Sequence, residues 1–140
     1  MLTTFCLFNL LLQAAVPATS PVGRWQTIDD KTGKPKSIVR VYEENGLLYG
    51  QVEKLLDPNA VQNCTRCTDD RKDKPITGMI VVRGLKKNGT EYSGGDILDP
   101  KNGSVYRCKL RLLEDGKKLS VRGYMGVSLL GRSQVWTREE

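Results

Sequence analysis

Ser104-Val105-Tyr106-Arg107-Cys108-Lys109-Leu110-Arg111-Leu112-Leu113-Glu114-Asp115-Gly116-Lys117-Lys118-Leu119-Ser120-Val121-Arg122-Gly123-Tyr124-Met125 is the stretch that decides the fold. Tyr106, Cys108, Leu110 and Leu112 fall on one side, with Arg107, Lys109 and Arg111 on the other. That period of two belongs to a strand with one face buried and one in water. Beyond Asp115-Gly116 the alternation resumes, with Leu119, Val121, Gly123 and Met125 opposing Ser120, Arg122 and Tyr124. Asp-Gly supplies the positive φ angles of a tight turn, so the stretch reads as a β-hairpin.

The same grammar extends in both directions. Asn45-Gly46, Asn88-Gly89 and Asn102-Gly103 mark three more turns. Between turn clusters the sequence predicts strands over Gly23–Ile28, Ser37–Tyr42, Leu47–Leu55, Gly78–Leu85, Thr90–Leu98, Ser104–Leu113, Lys118–Met125 and Arg132–Arg138. No stretch has a convincing helical period, so the fold class is all-β. Eight short strands in sequence order form an antiparallel up-and-down meander, which either leaves two open edges or closes on itself. Closure gives an eight-stranded barrel whose lumen is filled by side chains or holds one small ligand. Gly50, Gly84, Gly94, Gly95 and Gly123 fit the bends that closure needs. A two-sheet β-sandwich is the competing architecture. The long segment from Asp57 to Thr77 departs from the short connections and is expected to be functional, as a lid.

Composition narrows the chemistry. The chain has 140 residues, 22 Lys plus Arg against 16 Asp plus Glu, and no His. Without His, the usual neutral-pH general base and the His-activated nucleophile pairs are excluded. Residues 1–18 carry no charge, and Leu2 to Leu12 is an apolar run broken only by Thr3, Thr4 and Asn9. Val16-Pro17-Ala18 offers small residues for cleavage, so the leader reads as a signal peptide. The apolar run is too short to span a bilayer of roughly 30 Å. An uncleaved interfacial anchor is the alternative. The expectation is a periplasmic or secreted protein cleaved near Ala18, with a single β-barrel domain over 19–140.

Cys64-Thr65-Arg66-Cys67 lies in the long segment. In an oxidising compartment it reads as a local disulfide, with redox and metal-binding readings as rivals. Cys108 then stays a free thiol on the inward face of its strand. Trp25 in the first strand and Trp136 in the last become neighbours if the barrel closes, and Arg138 then lies within reach of an indole. Arg122, Tyr124, Gln134 and Trp136 combine a cation, a phenol, an amide and an indole on the last two strands. Pointing inward they would fix the polar end of an apolar ligand; pointing outward they are a solvated face. Asp96 and Asp99 fall on opposite faces of a regular strand, and Asp99-Pro100 opens a turn. Lys86 and Lys87 are expected in a turn. Arg107, Lys109 and Arg111 form a basic stripe suited to a solvated face, or to anionic lipid or polysaccharide at low salt. No aromatic-basic module for nucleic acid is present, and no cofactor or metal is expected.

Gly23-Arg24-Trp25, the Cys64/Cys67 pair, Lys74-Pro75-Ile76-Thr77-Gly78, Gly94-Gly95-Asp96-Ile97-Leu98-Asp99-Pro100, Tyr106-Arg107-Cys108, Val121-Arg122-Gly123-Tyr124 and Gly131-Arg132-Ser133-Gln134-Val135-Trp136 together resemble domain-of-unknown-function family 2147. This resemblance covers about Pro21 to Arg138. It implies a small exported bacterial protein with a lipocalin-like barrel. Gly23-x-Trp25 with Arg138 likewise resembles the closure pattern of lipocalins. Three functions compete. One is a barrel binding a small, partly apolar molecule or lipid. Another is an interaction module with a filled barrel that docks an envelope protein. The third is an enzyme built on Asp96, Asp99, Lys86 or Cys108.

Overall fold

In the computed structural model, which describes residues 20–127 and 130–139, alternation and turn chemistry yield eight strands. They are β1 (Gly23–Ile28), β2 (Pro35–Glu44), β3 (Leu47–Leu55), β4 (Ile80–Asn88), β5 (Glu91–Asp99), β6 (Ser104–Leu113), β7 (Lys118–Tyr124) and β8 (Gly131–Arg138). All neighbours are antiparallel, and β1 also pairs with β8, so the sheet closes into an up-and-down barrel rather than a sandwich. The proposed export leader lies outside the described residues.

Two turns are tighter than the sequence suggests. Asn45 and Gly46, at φ 52° and 78°, join β2 directly to β3. Lys86-Lys87-Asn88, expected in a turn, belongs to β4, where these residues pair with Ser93, Tyr92 and Glu91. The loop shrinks to Gly89-Thr90 because Gly89, at φ 63°, supplies the reversal by itself. Lys86 and Lys87 are nonetheless exposed.

Strand direction divides the barrel into two ends. One collects the β2–β3, β4–β5 and β6–β7 turns with the start of β1 and the end of β8. The other collects the β1–β2, β3–β4, β5–β6 and β7–β8 loops. Inward side chains change along the strands between the two. On β6, Leu112 and Leu110 give way to Cys108 and Tyr106; on β7, Leu119 gives way to Val121 and Gly123. The large residues therefore plug the first end, where Trp25, Leu85, Leu110 and Leu119 are fully buried with Val41 and Leu48.

Closure depends on that plug. Arg138 stacks its guanidinium 4.3 Å from the Trp25 ring centre. Its nitrogens donate to the carbonyls of Gly116 (2.7 Å), Val22 (3.0 Å) and Ser20 (2.9 Å). Trp25 Nε1 donates to the Pro21 carbonyl at 2.8 Å. One cation thus ties the N-terminal entry, the β6–β7 connection and the last strand together. Gly23 supplies a φ of 144°, which L side chains rarely adopt, and its missing Cβ leaves room for the guanidinium of Arg138.

Candidate functional site

Toward the mouth the lumen opens into a cavity of about 660 Å³. Its wall is apolar where Val39, Val52, Ile97, Val121 and Trp136 project from five strands. Small inward residues at this level, Ser37 on β2 and Gly123 on β7, leave the space that Trp and Leu occupy at the other end. Thr27 and Ser37, partners on the adjacent strands β1 and β2, add a buried hydroxyl pair at 2.6 Å to its wall. The shift in residue size makes the cavity.

β8 carries polarity from floor to rim. Trp136 Nε1 donates to Gln134 Oε1 at 3.3 Å, and Gln134 Nε2 donates to Asp30 Oδ2 at 2.8 Å. Arg132 closes the chain with an ion pair to the same oxygen at 3.2 Å. Successive inward positions of one strand thereby anchor the neighbouring β1–β2 loop at the mouth.

Five cations line the cavity (Lys31, Lys36, Arg66, Lys101, Arg132) against three carboxylates (Asp29, Asp30, Asp99). The carboxylates are engaged. Asp29 accepts the backbone N–H groups of Lys31 and Thr32 at 2.8 and 2.9 Å. Those bonds, that of Thr32 foremost, hold its carboxyl below the usual range. Asp99 accepts the Lys101 N–H, and Asp30 is held by Gln134 and Arg132. Lys31, Arg66 and Lys101 make no ion pair among the described residues. The mouth therefore presents positive charge.

The β3–β4 connection contributes Arg66 and Ile76 to the wall and is pinned in place. Cys64 and Cys67 form a buried disulfide. Gly103 packs so closely on the Arg66 carbonyl that a Cβ would overlap it. Arg71, almost fully buried, pairs with Asp69 at 2.6 Å and donates to the Ile80 carbonyl at 2.9 Å. This hydrogen bonding pulls the Asp69 carboxyl down to about 2. Arg83 grips Asp70 with two bonds of 3.1 and 3.0 Å. The expected lid thus forms part of the wall: the disulfide and the Asn63–Pro75 bridge hold the segment together, while Arg71 and the Arg83–Asp70 pair fasten it to β4.

A family model for uncharacterized proteins conserved in bacteria, DUF2147, matches residues 23–138. The chain belongs to DUF2147. Among solved structures, this DUF2147 protein is similar to protein HP1028 from Helicobacter pylori, described as belonging to the lipocalin family. The two share 19% identity over 86% of this chain and 84% of the other, with a TM-score of 0.75. That likeness shows the fold: a lipocalin-like barrel. Comparison with curated proteins finds no match.

The barrel of this DUF2147 protein splits the four-residue set read from the sequence. Gln134 and Trp136 line the cavity. Tyr124 borders it at the rim, while Lys109 lies 5.4 Å from its ring centre. Arg122 is directed away from the lumen. It faces Lys109 and Ser133 across the pairing, and donates to Ser133 Oγ at 3.1 Å on the side opposite Val121 and Gly123. Strand parity separates it from its supposed partners.

The groups suggested for catalysis are likewise dispersed. Cys108 is buried, and burial, together with the charge of Asp96, pushes its thiol up to about 12. Asp96 lies between Arg83 and Arg107 in the strand pairing, Lys86 opposite Ser93 near the plugged end, and Asp99 at the turn by the mouth. The rim cations Lys31, Lys36, Arg66 and Lys101 escaped the sequence reading. They come from separate loops and one strand start, and no local motif joins them.

Proposed function

We propose that this protein is an exported carrier that holds a small, partly apolar molecule in the mouth of its barrel. The carrying observation is the cavity itself. Its volume lies within the roughly 300–1,000 Å³ typical of small-molecule sites, and its apolar floor beneath a polar rim suits a ligand with two unlike ends. Because the rim carboxylates are engaged and several cations are not, the polar end is anionic. Export rests on the uncharged apolar leader and its small-residue cleavage site. The open lumen favours this reading over a filled barrel that docks an envelope protein.

Fluorescence tests it. Trp136 borders the cavity and Trp25 belongs to the plug. Saturable binding of anilinonaphthalene sulfonate, displaced by medium-chain fatty acids, is expected to perturb tryptophan emission. The response is expected to vanish in Trp136→Phe and persist in Trp25→Phe. If neither probe nor fatty acid binds saturably, the carrier reading fails.

A further inference from the structure

The four mouth loops differ in kind. Asp29-Asp30-Lys31-Thr32-Gly33-Lys34 and Asp99-Pro100-Lys101-Asn102-Gly103 are polar turn sequences, and the β3–β4 wall is charged. The β7–β8 loop instead contributes Met125, Val127 and Leu130, which are 55%, 59% and 70% exposed. These are the three most exposed large apolar side chains among the described residues. Scattered exposed valines are ordinary, but three such side chains on one loop tip mark a contact surface.

Position gives the partner. Around the rim the β7–β8 loop stands between the β1–β2 and β5–β6 loops, which carry Lys31 and Lys101. Met125 and Leu130 line the cavity together with those two lysines. An apolar tip flanked by cations matches the boundary of an anionic bilayer, with hydrocarbon below and phosphate around it. A second copy of the chain fits poorly, since a two-fold contact through this patch would bring like-charged rims together.

We propose that the mouth is a membrane-docking face: Met125, Val127 and Leu130 enter an anionic phospholipid bilayer while Lys31, Arg66 and Lys101 meet its headgroups. The lumen then opens onto the lipid, giving an apolar ligand a path that avoids water. Docking depends on the rim alone and stands whether or not the cavity binds a ligand.

The test is co-sedimentation of the cleaved, exported chain with phosphatidylcholine vesicles, with and without phosphatidylglycerol. Binding is expected only with the anionic lipid. Val127→Asp, which lies outside the cavity lining, is expected to weaken it by about tenfold or more. Lys31→Ala and Lys101→Ala are expected to weaken it by about fivefold each. All three residues are exposed, so thermal melts should match the unsubstituted protein, and Val127→Asp should retain anilinonaphthalene sulfonate binding in solution. Absence of binding to the anionic vesicles overturns the proposal, as does a Val127→Asp variant that sediments like the parent. Dimers abolished by Val127→Asp, without vesicle binding, would assign the patch to a second copy and also overturn it. Loss of small-molecule binding with vesicle binding intact would refute the carrier reading alone.

Discussion

At the plugged end of the barrel, Trp25, Leu110 and Leu119 fill the lumen under the Arg138 clasp, whereas at the mouth Val39, Ser37, Val121 and Gly123 leave it empty. The same eight strands build both ends. Only the size of the inward side chain differs, and that difference divides the labour. Dense packing and the Arg138 guanidinium stabilise one end, and the other gives up packing for space. Mouth loops can therefore vary in chemistry while closure is secured elsewhere.

The largest effect should come from opening the plug. Trp25→Ala removes a fully buried ring and the platform beneath Arg138, and is expected to cost about 3–5 kcal/mol in urea unfolding. Ile97→Ala, at a partly buried wall position of the mouth, should cost clearly less. Equal losses would erase the contrast between the ends.

Removing the clamp on the wall is the next step down. Cys64→Ser with Cys67→Ser is expected to lower stability by about 2 kcal/mol, since so short a loop constrains the unfolded chain only modestly. Proteolysis within 57–77 should rise while the plug stays protected. Simultaneous loss of both regions would show that they fold as one unit.

Acid should separate the two ends without mutation. The Asp69 carboxyl is held at about 2, below its unfolded value of about 3.9. A depressed carboxylate stabilises the fold above the unfolded value, and that contribution fades as pH falls from about 4 to about 2. Hydrogen exchange should rise in 57–77 before it rises around Trp25. The reverse order would contradict the ion pair with Arg71 as the anchor of the wall.

The smallest expected effect concerns Cys108. Its thiol is buried and pushed up to about 12, so native protein should resist iodoacetamide and react only after unfolding. Ready native modification would mean that the middle of the lumen admits solvent.

Much of the architecture was legible because strand period and turn chemistry are local. Tyr106 to Leu112, Asp115-Gly116 and Leu119 to Gly123 declare a hairpin from nearest neighbours alone. The disulfide was legible from the close spacing of Cys64 and Cys67. The site was half legible. Gln134 and Trp136 both line the cavity because they alternate on one strand, whereas parity places Arg122 with Ser120 and Tyr124. Lys86 and Lys87 were misplaced because their turn needed only Gly89 and Thr90.

Alternation and turn dipeptides were enough to read an all-β meander from the chain, since both depend on neighbouring residues. Tertiary structure alone decided where the lumen is empty, which loops share its rim and which charges there are already engaged. Those properties arise only when closure brings Asp30 against Gln134 and Arg66 against Gly103, across separations that no local pattern encodes.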